Sequence, residues 1–176
     1  MAGSASRIII LDPDFEHDGG HNYVANQVLA AHIKGSVQIL CPVTLPAAVT
    51  IDRAELHRRF PGNSYIADAP PRNILRHIAG NIGQLLQGKP ALSRQRSDFT
   101  SALLDHFQAQ QVSCDDAILV HTGSTFLFDV LLAALERWPR QRWPSLHLRQ
   151  LRPLENQHSA AAVHARLRSA RQFTEV

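Results

Sequence analysis

The sequence predicts an α/β domain with a doubly wound parallel sheet, and two observations lead to this class. Short apolar runs at residues 8–11 and 117–120 are typical of strands buried on both faces, as in parallel sheets. Between such runs lie longer stretches whose apolar residues recur at helical spacing. This alternation indicates about five strands with helices on both faces of the sheet. The chain of 176 residues suits one such domain, spanning residues 1–176.

The first strand, loop and helix are the best-defined unit. The apolar run at residues 8–11 predicts the strand, and Asp12-Pro13 ends it. Gly19-Gly20 then opens a helix, whose apolar residues at helical spacing are Tyr23, Val24, Val28, Leu29 and Ile33. In a doubly wound sheet, a glycine loop in this place aims free backbone N–H groups and the positive end of the helix dipole at the carboxyl edge of the sheet. An anion such as phosphate would fit there. The loop is not G-x-G-x-x-G, so the usual dehydrogenase dinucleotide site is not indicated.

The next stretch is less regular. Gly35 is a plausible helix end, and residues 37–40 predict the second strand. We interpret residues 43–51 as a loop and Asp52 as the cap of a short helix that ends at residue 59. A short third strand is then predicted at residues 64–67.

The second half repeats the alternation. Helices are predicted over residues 70–88, from Ser93 to residue 107, from the cap Ser124 to residue 138, and over residues 157–171. The fourth and fifth strands are predicted at residues 117–120 and 145–148. The expected strand order is 3-2-1-4-5, which is a Rossmann-like arrangement.

Composition narrows the class of protein further. No apolar stretch approaches the length of a membrane span, and residues 1–6 lack the features of a signal peptide. Two cysteines, Cys41 and Cys114, are too few for a disulfide framework, so we expect free, buried thiols and a cytoplasmic location.

The net charge of +3 raises the question of a nucleic-acid partner. The positive charge is concentrated late in the chain, at Arg137, Arg140, Arg142, Arg149, Arg152, Arg166, Arg168 and Arg171. No aromatic residue is interleaved with the last three, as a platform for stacked bases would require. We therefore favour a solvated or partner-facing surface over nucleic-acid binding.

The topology predicts where a ligand would bind. In an open parallel sheet the binding crevice lies at the carboxyl ends of the strands, where the strand order reverses. Here that point falls between the first and fourth strands, so the loops at residues 12–22 and 121–125 should face each other. The polar and glycine residues brought together there would be His17, Asp18, Gly19, Gly20, His21, Asn22, His121, Thr122, Gly123 and Ser124.

Each of these residues also has a purely structural interpretation. His21 could cap its helix or lie exposed, and His121 could be a hydrogen-bonded core histidine. Ser124 lacks the G-x-S-x-G setting of a hydrolase nucleophile. Acidic and histidine side chains occur at Asp12, Asp14, His17, Asp18 and His21, but their spacing matches no metal-ligand motif, so we expect neither a metal nor a cofactor.

The two motif-bearing segments resemble a known family. The first strand followed by Gly19-Gly20-His21 is similar to the start of retaining, family-4-like GT-B glycosyltransferases. Residues 116–124, Asp-Ala-Ile-Leu-Val-His-Thr-Gly-Ser, are similar to that family's pattern of Asp, apolar strand, His, small residue and often a second His. Gly123 stands where the second His would be. The resemblance covers the amino-terminal Rossmann-like half of such an enzyme, which is essentially this whole chain.

The resemblance implies a function. Gly19, Gly20, His21 and Asn22, with Thr122, Gly123 and Ser124, would contact the donor's phosphates or sugar, and His121 would be the catalytic-site histidine that positions the transferred sugar. The partners would be a nucleotide-sugar donor, an unknown acceptor, and a carboxyl-terminal GT-B half. That half carries two glutamates separated by seven residues, and the glutamates here (Glu16, Glu55, Glu136, Glu155 and Glu175) include no such pair. We therefore expect no catalysis by this chain alone.

The missing half leaves a second hypothesis open. The chain could be a non-catalytic, flavodoxin-like module that binds a small anion at Gly19-Gly20. It could also pair with a second copy through its arginine-rich surface.

Overall fold

The computed structural model of the chain describes residues 7–62, 64, 91–150 and 165. The strands of this part are β1 (Arg7–Leu11), β2 (Ser36–Pro42), β3 (Ala54–Phe60), β4 (Ala117–Gly123) and β5 (Ser145–Gln150). Its α-helices are α1 (His21–His32), α2 (Ala91–Ala109) and α3 (Thr125–Arg137), and a 3-10 turn at Arg140–Arg142 joins α3 to β5.

The five strands form one sheet in which every pairing is parallel, in the order β3-β2-β1-β4-β5. The predicted fold class and strand order are therefore confirmed. β1 lies at the centre, and its Ile10 is in register with Ile39 of β2 and Leu119 of β4. A central position with neighbours on both sides explains why β1 is an uninterrupted apolar run.

Helices cover both faces of the sheet, as predicted. The larger core cluster joins alternate strand residues such as Ile9 and Ile118 to α2 and α3, and Phe99 of α2 stacks on Phe60 of β3 with ring centroids 5.2 Å apart. The smaller cluster joins Ile10 and the other alternate residues to α1 on the opposite face. Because side chains alternate along a strand, β1 to β4 each contribute to both clusters.

The helix predicted up to residue 59 is wrong. The stretch predicted as a helix capped by Asp52 is β3, which pairs with β2 from Ala54 opposite Val37 to Phe60 opposite Pro42. Arg53 has φ +64°, which turns the chain into the strand instead of into a helix. Glu, Leu and Arg favour helices, but pairing with an already formed strand overrides that weak preference. β3 lies at the sheet edge, where charged side chains are well tolerated.

The described helices otherwise follow the predictions. Ser124 caps α3, because its Oγ accepts a hydrogen bond from the Leu127 N–H at 3.1 Å. The apolar stripe predicted for α1 is wrong in part, since Val24 and Val28 are exposed. No described helix has the length and apolar character needed to cross a membrane. The predicted strand at residues 64–67, except Ser64, and the predicted helices at residues 70–88 and 157–171, except Ala165, lie outside the described residues.

Candidate functional site

The candidate site lies at the carboxyl ends of β1 and β4. These strands are neighbours, and the strand order reverses between them. Each strand ends in a buried polar residue: Asp12 follows β1 and is fully buried, and His121 of β4 is 7% exposed. The first two turns of α1 lie against both of them. The two loops that the topology predicted to face each other are therefore connected through side chains.

Asp12 is the centre of this connection. Its Oδ1 accepts a hydrogen bond from Asn22 Nδ2 at 3.0 Å, and its Oδ2 accepts one from Asn26 Nδ2 at 2.7 Å. The Asp12 N–H donates to the Leu40 carbonyl at 2.9 Å, which extends the contact between β1 and β2 beyond the strand. Asn22 and Asn26 are one helical turn apart, so one carboxylate fastens the start of α1 to the sheet.

His121 completes the polar cluster. Its Nε2 lies 3.1 Å from Asn26 Oδ1 and 3.5 Å from Asp12 Oδ2. Asn26 is fully buried, so these polar groups satisfy one another away from solvent. His121 thus occupies the place at the sheet edge that the sequence predicted. Its ring is held by α1 as well as by its own strand.

The loop after β1 is held at its far side as well. Asp14 Oδ1 accepts a hydrogen bond from the Ser64 backbone N–H, and Asp14 Oδ2 accepts one from the Ser64 hydroxyl, both at 2.7 Å. Phe15, next along the chain, is fully buried in the smaller core cluster. The loop is therefore anchored to the sheet on both sides of Pro13, and only its tip, from Glu16 to Gly19, is exposed.

The start of α1 has no side-chain cap. Gly20 is its N-cap, with φ −82° and ψ 170°, and it offers no side-chain acceptor to the first-turn N–H groups. The first helical bond runs from the Val24 N–H to the Gly20 carbonyl at 3.2 Å. The preceding N–H groups at residues 21–23 thus lack the side-chain cap that Ser124 gives α3. His21 is exposed beside them.

The two glycines of this loop have different roles. Gly19 has φ +81°, a left-handed conformation that favours glycine. Gly20 has an ordinary φ, but an added Cβ would lie 2.9 Å from Cε1 of the His17 ring. The turn therefore favours glycine at position 19, whereas a side chain at position 20 would require the exposed His17 ring to move.

The three residues after His121 make no side-chain contact with α1 among the contacts that the structure describes. Thr122 Oγ1 is buried and has no hydrogen-bond partner among the described residues. Gly123 has no room for a side chain, since an added Cβ would overlap the Phe128 ring and lie 3.0 Å from the Arg149 carbonyl oxygen. The Ser124 hydroxyl is engaged as the cap of α3. Of the four consecutive residues predicted to bind a ligand, His121 is the one whose side chain joins α1.

Other reactive side chains lie apart from this cluster. Burial raises the pKa of the Cys41 thiol to about 12, although the nearby Arg58 charge acts in the opposite direction. A buried thiol of this kind is a poor nucleophile. Cys114 is exposed, which corrects the expectation that both thiols are buried. In the described part of the chain, no three His, Cys, Asp or Glu side chains are grouped as a metal site requires.

Two members of the cluster were not among the predicted ligand-binding residues. Asp12 was considered only as a possible metal ligand, and Asn26 was not considered at all. A signal for Asn26 was present, because Asn22, Asn26 and Ala30 follow one another at intervals of four residues and so share a helix face. Both Asn26 and Ala30 are fully buried. A polar residue on a buried helix face needs a partner, and Asp12 and His121 provide it.

Comparison of the chain with protein-family models, with curated proteins and with solved structures finds no match.

Proposed function

We propose that this chain is a glycosyltransferase-like amino-terminal domain of the GT-B type, which binds the diphosphate of a nucleotide-sugar donor at the start of α1. The observation that carries the proposal is the bond between Asn26 and His121, 3.1 Å long, which joins the glycine-opened helix to the end of β4 at the point of strand reversal. It is at this point that doubly wound sheets bind their ligands. The resemblance at Gly19-Gly20-His21 and at residues 116–124 supplies the class of ligand.

The two sides of the site would have separate tasks. The uncapped N–H groups at the start of α1 would donate hydrogen bonds to phosphate oxygens, and the helix dipole would favour the negative charge. These groups stay fixed as charge develops on the leaving diphosphate, so they would stabilise the transition state without reorganising. His121 would position the sugar. This chain would also form the acceptor side of the enzyme, and the remaining donor contacts would come from a second GT-B half.

Gly20→Val tests the diphosphate site. The β-branched side chain would occupy the space at the N-cap of α1, so we expect at least about tenfold weaker binding of UDP, or about 1.4 kcal/mol. The fold should persist, because Gly20 has φ −82° and the nearest atom to a new Cβ belongs to the exposed, movable His17 ring. The measurement is the UDP-induced rise in melting temperature, with calorimetric titration as a second readout.

Gly19→Ala is the matched control. A new Cβ at Gly19 would have nothing within 4 Å, but φ +81° would strain the alanine by about 1–2 kcal/mol. This variant should therefore melt earlier than wild type and still show the wild-type UDP shift. Equal UDP-induced rises in melting temperature for wild type and Gly20→Val would show that the Gly19-Gly20 loop is a turn and not a diphosphate site. The proposal would also fail if a fusion of this chain to a GT-B carboxyl half bound neither UDP nor UDP-glucose.

A second candidate function is assembly through the basic surface at the end of α3. Arg142 lies over the Trp138 ring with its guanidinium carbon 5.1 Å from the ring centroid, and Arg140 lies over Trp143 at 5.6 Å. These stacked guanidinium groups are held in place, which lowers the entropy lost when a partner binds. Residues 137–154 contain no acidic side chain.

Analytical ultracentrifugation at low and high salt tests this candidate. If the arginines of one copy bind acidic side chains of a second copy, a species larger than the monomer should form at low salt and dissociate as salt screens the charges. Arg140→Gln with Arg142→Gln should remove that species. A monomer at every salt concentration would contradict assembly through this surface.

A further inference from the structure

The hydrogen bonds around Asp12 determine which way the Asn26 side chain faces. A carboxylate oxygen accepts hydrogen bonds, and Asp12 Oδ2 lies 2.7 Å from the Asn26 amide group. The amide nitrogen must therefore face Asp12, which turns Asn26 Oδ1 in the other direction. Asn22 Nδ2 donates to the second oxygen of the same carboxylate at 3.0 Å, so both oxygens of Asp12 accept from amide donors.

The orientation of Asn26 in turn determines where His121 carries its proton. Its Nε2 lies 3.1 Å from Asn26 Oδ1 and 3.5 Å from Asp12 Oδ2, and both of these oxygens are acceptors. An unprotonated Nε2 would place its lone pair against two oxygens inside the protein, where such repulsion is costly. Nε2 must therefore carry a hydrogen and donate it.

The second ring nitrogen is then a hydrogen-bond acceptor. A neutral imidazole has one N–H, so Nδ1 has a lone pair when Nε2 is protonated. Nδ1 makes no hydrogen bond to any described residue, and the His121 side chain is 9% exposed. A group that binds there must donate a hydrogen bond, as a hydroxyl does and an unprotonated phosphate oxygen does not.

We propose that Asp12, acting through Asn26, is a positioning residue that holds His121 in the Nε2–H tautomer and leaves Nδ1 as an acceptor for a hydrogen-bond donor on the ligand. The contacts alone show how the Asp12 carboxylate orients the Asn26 amide and how that amide orients the His121 proton. The identity of the ligand rests on the function proposed above. Under that function, the hydrogen-bond donor to Nδ1 would be a hydroxyl of the sugar. The acidic side chain thus acts without touching the ligand itself.

The tautomer can be measured without any ligand. In long-range proton–nitrogen NMR spectra of the 15N-labelled full chain, His121 should show a protonated, pyrrole-type Nε2 and an unprotonated, pyridine-type Nδ1 at a pH where the ring is neutral. A variant lacking His121, His121→Phe, identifies its signals. Protonation on Nδ1 in the wild-type protein, or averaging between the two tautomers, would overturn the proposal.

Asp12→Asn tests the role of the carboxylate with little change in shape. The new amide offers an N–H as well as a carbonyl, so Asn26 could turn over and present its own nitrogen to His121. We expect loss of the single Nε2–H tautomer. Asn22→Ala is the matched control, since Asn22 contacts the other oxygen of Asp12 and should leave the tautomer unchanged. A single Nε2–H tautomer retained in Asp12→Asn would refute the positioning role; if that variant does not fold, the wild-type spectrum decides.

A ligand titration separates this proposal from the function on which its last step rests. UDP-glucose adds the hydroxyls of a glucosyl group to the ribose hydroxyls that UDP also has, so the Nδ1 resonance should shift with UDP-glucose and not with UDP. Equal shifts with both would overturn the assignment of a sugar hydroxyl. If neither UDP nor UDP-glucose bound the fusion to a GT-B carboxyl half, the proposed function and the assignment of a sugar hydroxyl would both be refuted. The tautomer of His121 in the unliganded chain would still test whether Asp12 positions the ring.

Discussion

Acidification from neutral pH to about pH 4 should destabilise the fold by on the order of 3 kcal/mol through His106 alone. This ring is fully buried at the end of α2, and neither of its nitrogens has a hydrogen-bond partner among the described residues. The pKa of His106 is lowered from 6.5 to about 3, chiefly by burial and in addition by the charges of His57, Arg59 and Arg7. The unfolded chain therefore takes up the proton more readily than the folded protein does.

The direction of the effect follows from these two pKa values. The full stability is present above pH 6.5, and it is lost progressively as the pH falls from 6.5 towards 3. The groups that face His106 offer it no counter-charge. The His57 ring of β3 meets it edge-on with centroids 4.9 Å apart, while Glu55 lies 3.2 Å from His57 Nε2 without hydrogen-bond geometry. Gln38 of β2 donates to Gln110, the residue after α2, at 3.0 Å.

His106→Leu tests this prediction in urea unfolding at a series of pH values. The leucine removes the buried titrating ring, so its stability curve should be flatter than that of wild type between pH 6.5 and about 4. His147→Leu is the control, because His147 lies exposed on β5 and its replacement leaves the buried pair intact. Parallel curves for wild type and His106→Leu would show that another group causes the acid sensitivity.

Gly123→Ala should cost about 3 kcal/mol, although it adds a single methyl group. The new Cβ would overlap the end of the Phe128 ring, and the Arg149 carbonyl oxygen of β5 lies on its other side at 3.0 Å. Phe128 is 3% exposed in the larger core cluster, so it cannot move aside without opening a cavity. The measurement is the free energy of unfolding in urea, with circular dichroism to verify that the secondary structure persists.

A second substitution shows whether the Phe128 ring causes this loss. Leucine lacks the distal ring atoms that meet the new Cβ, so Gly123→Ala combined with Phe128→Leu should be less destabilised than the sum of the two single variants. If the losses in free energy of unfolding are additive, the destabilisation by Gly123→Ala arises from the contact with the Arg149 carbonyl or from the backbone, and not from the Phe128 ring. Either way, the loss would show a packing role for Gly123, and its contact with a ligand stays a prediction.

The close packing around Gly123 shows a limit of local sequence patterns, which do not distinguish a ligand contact from a packing contact. A glycine two residues after a histidine at a strand end looks the same in the sequence whether it admits a phosphate or packs against a phenylalanine ring. Ser124 is a similar case, because its hydroxyl caps α3 and the capping preference was visible in the sequence. The residue that joins the two loops most closely, Asn26, has no motif, and its role depends on Asp12 and His121, which are 14 and 95 residues away.

The sequence by itself determined the class of fold, the strand order and the edge of the sheet where polar groups collect. Those features depend on local apolar runs and on topological rules that hold for parallel sheets in general. Only the tertiary structure decided that residues 54–60 form a strand, that Val24 and Val28 face solvent, and that Asp12 binds Asn22 and Asn26. The physical reason is the same in each case. Edge-strand pairing, the rotation of a helix on its sheet and buried hydrogen bonds each depend on partners distant in the chain, and their energies exceed the local preferences that a sequence displays.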